Sequence, residues 1–406
     1  MRISRWYRWT AIAAMVIVLI VAMRTCTSSR TLVDRASGGP IEAELKLQTV
    51  TLEQPDENGN LLWRLKAESV TYSPDNQRAE LTKLVGEFFQ AGEMIYTVTA
   101  DRGEVFQNGE TLFLRGNLVA KRPEDELTLE GETLKWQPKQ DLLVMGNFDD
   151  EILAEAATLP SPTNPDRAPV TGFNPQIEAA AQVVTVSSKE NRVDLTGGVV
   201  AKSKEVPWMT FESNQLTWLT RQELIETSEP LKVERYDSKD YKSITDRVVG
   251  NAGEVQLAEN TVTLNGAVRL DSLTQPLIVR SEQAIWDLEA QTVALDQPVN
   301  LAQPERKITA SASRANLDLA KEVVYLIGNV RASGEKNDAR LAADRLTWQT
   351  TTQAVEAEGN VSYQQAANPE VSMTGPRAVG NFAQGTLAVT GGESGEVVTE
   401  IRLDEL

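Results

Sequence analysis

The chain of 406 residues is longer than one ordinary domain, carries a net charge of −18, and contains no histidine and a single cysteine, Cys26. Those absences exclude Ser-His-Asp and Cys-His catalysis, His-ligated zinc, thiolate metal sites and an internal disulfide. The charge is uneven: residues 1–30 hold five arginines and no acid, so the remainder sets 35 basic against 58 acidic residues, about −23, the wrong sign for a nucleic-acid partner.

Residues 1–24 read as an N-terminal membrane anchor. Arg2, Arg5 and Arg8 precede an apolar run from Ala11 to Met23, and Trp6, Tyr7 and Trp9 stand where an interfacial aromatic belt lies. The uninterrupted run of 13 residues suits a signal sequence, but counted from Trp6 it reaches 18, close to the ~20 of a spanning helix. Met23 and Arg24 stand where a cleavage site needs small residues. The expectation is therefore an uncleaved single-pass segment touching the membrane over residues 6–23, with the bulk of the chain exported. The alternative is a cleaved signal with a lipid on Cys26, for which the preceding Met-Arg-Thr is a poor context.

Residues 25–40, TCTSSRTLVDRASGGP, read as a flexible tether, and 41–158 as a first β block. In NGNLLWRLKAESVTY, residues 58–72, a turn leads into a strand with Leu61, Trp63, Leu65 and Ala67 on one face. Turn clusters QNGE, RPED and PKQD follow at roughly ten-residue spacing, which suits an all-β sandwich or roll. Five prolines between Leu159 and Gln176 make 159–177 a stiff linker, and 178–406 a second β block. Apart from the anchor, the one candidate for helix is a short turn near residues 151–157.

One pattern is written four times. LFLRGNLVAK leads to Trp136, VDLTGGVVAK to Trp218, VTLNGAVRL to Trp286 and VVYLIGNVRA to Trp348. The glycine-to-tryptophan interval is 20 residues from Gly116, 21 from Gly197, 20 from Gly266 and 20 from Gly328. A recurrence at fixed spacing marks a repeat architecture. Alternation puts Val324, Leu326, Gly328 and Val330 on one face, with Leu112, Leu114, Gly116 and Leu118 the equivalent set, so each strand has one dry and one wet face. Each glycine permits a bulge or bend, or leaves room for another group inside.

The order of parts resembles a known family. After the anchor come a G-x-x-x-W-x-L-x-A strand (Gly59, Trp63, Leu65, Ala67), a TADRG segment at 99–103 and a strand closing on R-G-N-L from Arg115 to Leu118. This set resembles the LptC family, the bitopic periplasmic component of the lipopolysaccharide-export ABC transporter, best over residues 1–150. The later G-N-V segments at 328–330 and 359–361 are similar to OstA-type β-jelly-roll repeats. The chain departs from the family by its length and its proline linker.

The resemblance implies an open β-jelly-roll of two twisted antiparallel sheets, held at the inner membrane by one transmembrane helix with its bulk in the periplasm. It implies an apolar trough that accepts lipopolysaccharide from the permease subunits of an inner-membrane ABC transporter. Free sheet edges would pair with a periplasmic OstA-like bridge protein. The candidate lipid-binding residues are Leu61, Trp63, Leu65, Gly116, Trp136, Gly197, Trp218, Gly266, Trp286, Gly328 and Trp348. No catalytic residue, metal ligand or cofactor motif is assigned; there is no G-x-x-x-x-G-K-[ST] for nucleotide, and the acids scatter over solvated turns. The competing reading is a structural β-repeat stalk or interaction protein of the cell envelope that carries no lipid.

Overall fold

The computed structural model describes residues 45–402, apart from 76, 91, 107–110, 125, 147–168, 275, 336–337, 367–369, 383, 385 and 392–397. The anchor at 1–24, the tether at 25–40 with Cys26, the turn at 151–157 and residues 159–168 of the linker lie outside the described residues. The rest is all-β. Six long strands come first: β1 (Leu45–Pro55), β2 (Leu61–Tyr72), β3 (Arg78–Gln90), β4 (Glu93–Phe106), β5 (Thr111–Arg122) and β6 (Leu127–Gln137). They form an antiparallel meander, each pairing with the next.

Four short strands follow, β7 (Leu142–Gly146), β8 (Val170–Phe173), β9 (Ile177–Ala181) and β10 (Val183–Ser187), then the long β11 (Arg192–Ser203) and β12 (Met209–Leu219). The same alternation continues with β13 (Leu224–Thr227), β14 (Leu231–Tyr236), β15 (Ile244–Gly250) and β16 (Ala252–Gln256), then the long β17 (Thr261–Ser272) and β18 (Leu277–Asp287). The short β19 (Thr292–Leu295), β20 (Val299–Gln303), β21 (Ile308–Ala312) and β22 (Arg314–Asp318) come next. Long β23 (Val323–Gly334), β24 (Ala339–Gln349), β25 (Ala354–Gln365) and β26 (Glu370–Asn381) follow, with short β27 (Thr386–Thr390) and β28 (Val398–Arg402) last.

The pairing shows how two layers arise from one ladder. Residues 133–137 of β6 pair with β7, whereas residues 128–130 pair with β8. β7 pairs with β10 and β8 with β9, and β11 then takes β10 on its first half and β9 on its second. Every long strand is thus shared, one half in each layer. The first layer is completed by β7, β10, β13, β16, β19, β22 and β27, the second by β8, β9, β14, β15, β20, β21 and β28. The strands on either side of residues 147–168 are joined by these pairings.

A long strand can serve both layers only by bending at its middle. Gly116, Gly197, Gly266, Gly328 and Gly359 have φ between +73° and +84°, and each following residue, such as Asn117 at +48°, is also left-handed. Two successive left-handed residues insert one extra residue opposite the partner strand and turn the chain, which glycine tolerates without a Cβ clash. The register shifts at these points, between Arg115 and Leu118 in β5 and between Ile327 and Val330 in β23. A Cβ on Gly116 would lie 3.0 Å from Asp101 Oδ2, one on Gly266 3.1 Å from Asn251 Cβ, and one on Gly328 3.1 Å from Ser313 Oγ. At two of these bends the packed side chain is also tied to the bend: Asn117 Nδ2 donates to Asp101 Oδ2 at 2.7 Å, and Asn329 Nδ2 to Ser313 Oγ at 3.3 Å.

The spacing to tryptophan is hairpin register. The residue four before each glycine pairs with the tryptophan: Leu112 with Trp136, Val193 with Trp218, Val262 with Trp286 and Val324 with Trp348. The extra residue in the second copy falls in the hairpin before Met209, which holds the cis Val206–Pro207 peptide. One buried cluster runs from Trp63 to Ala378, and Glu44–Leu406 form one compact unit. Among the described residues no helix is long and apolar enough to cross a membrane.

Candidate functional site

The two layers close on each other in some places and leave space in others. In the first block Trp63 lies opposite Phe88 in register, and the Phe88 ring stacks on Trp136 at 5.5 Å with the planes 7° apart. Phe88 belongs to the second-layer half of β3 and Trp136 to the first-layer half of β6, so this stack fills the interior from wall to wall. Trp63, Leu65 and Trp136 are buried there, and Leu61 is half-buried at the start of β2. Trp286 and Trp348 are equally buried, the latter edge-on to Phe382 at 5.7 Å. The four glycines sit half-buried at the bends, and Gly116, Gly266 and Gly328 have the neighbouring polar side chains described above against them.

Between these filled regions lies a cleft of about 350 Å³. Its second-layer wall carries Leu127, Leu129, Phe173 and Ile177, and its first-layer wall carries Val184, Leu195, Trp218, Ile225 and Val255. It opens between two rows of hairpin turns, with Asn174, Gln176, Glu205 and Pro207 on one row and Leu257 and Asn260 on the other. Val206, at the tip of that rim, is 77% exposed. Of the eleven residues singled out from sequence, Trp218 alone lines this cleft. Its buried indole N–H has no acceptor among the described residues, and an unmet buried donor costs about 1–3 kcal/mol.

Side chains cross the open side of the roll and delimit the cleft. Arg122, at the second-layer end of β5, places its guanidinium 5.9 Å from the Tyr96 ring and 6.0 Å from the Trp218 ring. Farther along, Arg235 in β14 donates to Asp246 Oδ2 at 2.6 and 2.8 Å and reaches Gln291 Oε1, in a first-layer turn, at 3.2 Å. Gln90 similarly reaches the buried Asp141 at 2.9 Å, and Asp141 also accepts from Ser187 Oγ and the Lys189 N–H. Beyond Arg235 the same open side holds a recess of about 250 Å³ between Leu270 and Leu317, and another of about 120 Å³ between Tyr363 and Leu387.

Sequence reasoning did not find Arg122, Arg235 or Gln291. A signal for Arg122 exists: six residues after the glycine the four copies carry Arg122, Ser203, Ser272 and Gly334, so a large cation stands in one copy alone. Gln291 offers none, because its partner is 56 residues away in sequence. Among the described residues no group of three or more His, Cys, Asp or Glu could hold a metal.

The pattern of the family described as "Lipopolysaccharide-assembly, LptC-related" matches residues 10–144 and 235–333, more than half of the chain. The chain belongs to this LptC-related family. Its members are components of a lipopolysaccharide transport bridge and are not known as enzymes, and the second matched segment reaches from β14 through β23. A comparison with curated proteins finds none that matches. Among solved structures the chain is similar to LptH, described as the LptA homologous periplasmic component of the conserved lipopolysaccharide transport device from Pseudomonas aeruginosa. That similarity is 16% in identity over 29% of this chain and 80% of that one, with a TM-score of 0.26.

Proposed function

We propose that this LptC-related chain carries the acyl chains of lipopolysaccharide in the cleft between its two layers. Held at the inner membrane by residues 6–23 with its bulk in the periplasm, it accepts the lipid from the permease subunits of an ABC transporter. It hands the lipid onward to an OstA-like bridge protein paired to a sheet edge of an open β-jelly-roll. The observation that carries the reading is the apolar, laterally open cleft at Trp218. Its ~350 Å³ is within the range of ligand pockets, about 300–1,000 Å³, and each CH₂ buried there contributes roughly 0.8 kcal/mol. A side opening lets acyl chains enter while a sugar head remains in water. The further recesses along the same side give the lipid a path past the Arg235–Gln291 crossing.

The aromatic stack at Trp63, Phe88 and Trp136 closes the interior of the first block to the cargo in this conformation. A photo-reactive residue at Trp218 is expected to form lipopolysaccharide adducts in cells, whereas one at Trp286 gives few. Absence of adducts at Trp218 in a folded, anchored protein would sink the lipid reading and leave the structural stalk.

A further inference from the structure

The outward face of the second layer, away from the cleft, carries a separate feature. Across β18, β20, β21, β23, β24 and β25 it forms a concavity of about 660 Å³ lined by Arg280, Arg331 and Arg340 and by no carboxylate. In a chain with 58 acidic and 40 basic residues, that is a local reversal of sign. Arg340 makes one exposed contact with Asp338 at 3.4 Å. Arg280 and Arg331 are exposed and have neither an ion pair nor a hydrogen bond among the described residues. Their guanidiniums are therefore available to an external anion, and guanidinium is the side chain best matched to planar carboxylate and to phosphate.

Register fixes the layout. Arg280 pairs with Asn300, Asn300 with Ser311 and Ser311 with Arg331, one straight row across four strands. The two arginines are thus three strand spacings of about 4.8 Å apart, roughly 14 Å, too far for one small anion to bridge. Between them the floor is Asn300, Ser311, Thr309 and Ser333, small amides and hydroxyls with no aromatic or large apolar side chain facing out. A protein partner's docking face is anchored by aromatic and apolar groups, which this floor lacks. An extended ligand rich in hydroxyls, with negative charges spaced along it, fits instead.

We propose that this face binds an acidic glycan, a sugar chain bearing carboxylate or phosphate groups. The arginines hold its charges and the floor of hydroxyls and amides holds its hydroxyl groups. The site does not depend on the lipid cleft, with which it shares no lining residue.

The test is titration calorimetry on the full chain in mild detergent, with hexagalacturonate as the acidic probe and maltohexaose as the uncharged control. Hexagalacturonate is expected to bind with an affinity that falls as salt is added, and maltohexaose to bind far more weakly. The Arg280→Gln/Arg331→Gln double variant should lose at least ~10-fold in affinity. Arg314→Gln, which removes an exposed arginine of the first layer, should change nothing. Because the replaced side chains point outward, an unchanged urea midpoint identifies a folded variant. No binding of hexagalacturonate, equal binding of both sugars, or full affinity in the double variant overturns the proposal. So does a dimer in sedimentation that the double variant abolishes, because the face is then covered by the acidic surface of a second copy.

Discussion

The tryptophans of the repeat share one sequence role but differ in what surrounds them. Trp286 is sealed in the core, whereas Trp218 is half-buried and lines the cleft. Trp286→Ala removes a fully packed ring and is expected to cost about 3–5 kcal/mol. Trp218→Ala should cost clearly less while abolishing lipid crosslinking nearby. Urea denaturation of the two variants separates them, and equal losses would make Trp218 a core residue. At Glu234 burial pushes the carboxyl up, but hydrogen bonds from Tyr236 and Arg247 and the charge of Lys232 outweigh it and hold it below its ordinary 4.5. A depressed carboxylate stabilises the fold above that value, and the stabilisation is lost as pH falls through the lowered one. Acid melts are expected to show Glu234→Gln less stable than the parent at pH 7, with the difference closing as pH falls through that lowered value. A constant gap at all pH values would show that Glu234 contributes no titrating charge.

At the scale of the element, the decisive device is the bend in each long strand. Gly116 has φ +77° and its missing Cβ is replaced by Asp101. Gly116→Ala forces a side chain into the left-handed region, at about 1–2 kcal/mol, and crowds the Asp101 carboxylate. Adding Asp101→Ala removes the carboxylate contact but leaves the Asp101 Cβ 3.2 Å away and the backbone strain in place, so the double variant should recover at most part of the loss. Full recovery in chemical denaturation would mean that the backbone there is not strained. The glycine, its interval to tryptophan and the alternation of apolar residues were all legible, because each reflects local geometry: a bend, a hairpin register and a two-residue period. The sequence left two meanings for the glycine, a kink or interior room. The conformation at Gly116, Gly266 and Gly328 makes it a kink, with a polar neighbour packed where a side chain would have gone.

For the whole molecule, one buried cluster spans Trp63 to Ala378, and β7 and β10 pair across residues 147–168. Strands that share ladders and a core unfold together when no interface between them is weak. In the intact protein, hydrogen exchange followed through a urea titration should therefore show peptides of β2 and of β18 losing protection at the same midpoint. Separate midpoints would divide the chain into two folding units near the prolines.

Sequence by itself determined that this is an all-β repeat protein with one dry face per strand, a strong acidic surplus, no histidine and a single cysteine. It also carried the family, through short motifs around Trp63 and Gly116. Those features follow from composition and from periods of a few residues. What only the tertiary structure decided is which dry faces meet. Trp63, Phe88 and Trp136 fill the interior because the folded layers bring β3 against β6, while Phe173, Leu195 and Trp218 stand apart around a cleft. The crossings at Arg122 and Arg235 and the row from Arg280 to Arg331 arise the same way. Each joins residues tens of positions apart, whose proximity is set by how strands stack across and between layers, and no local period encodes that.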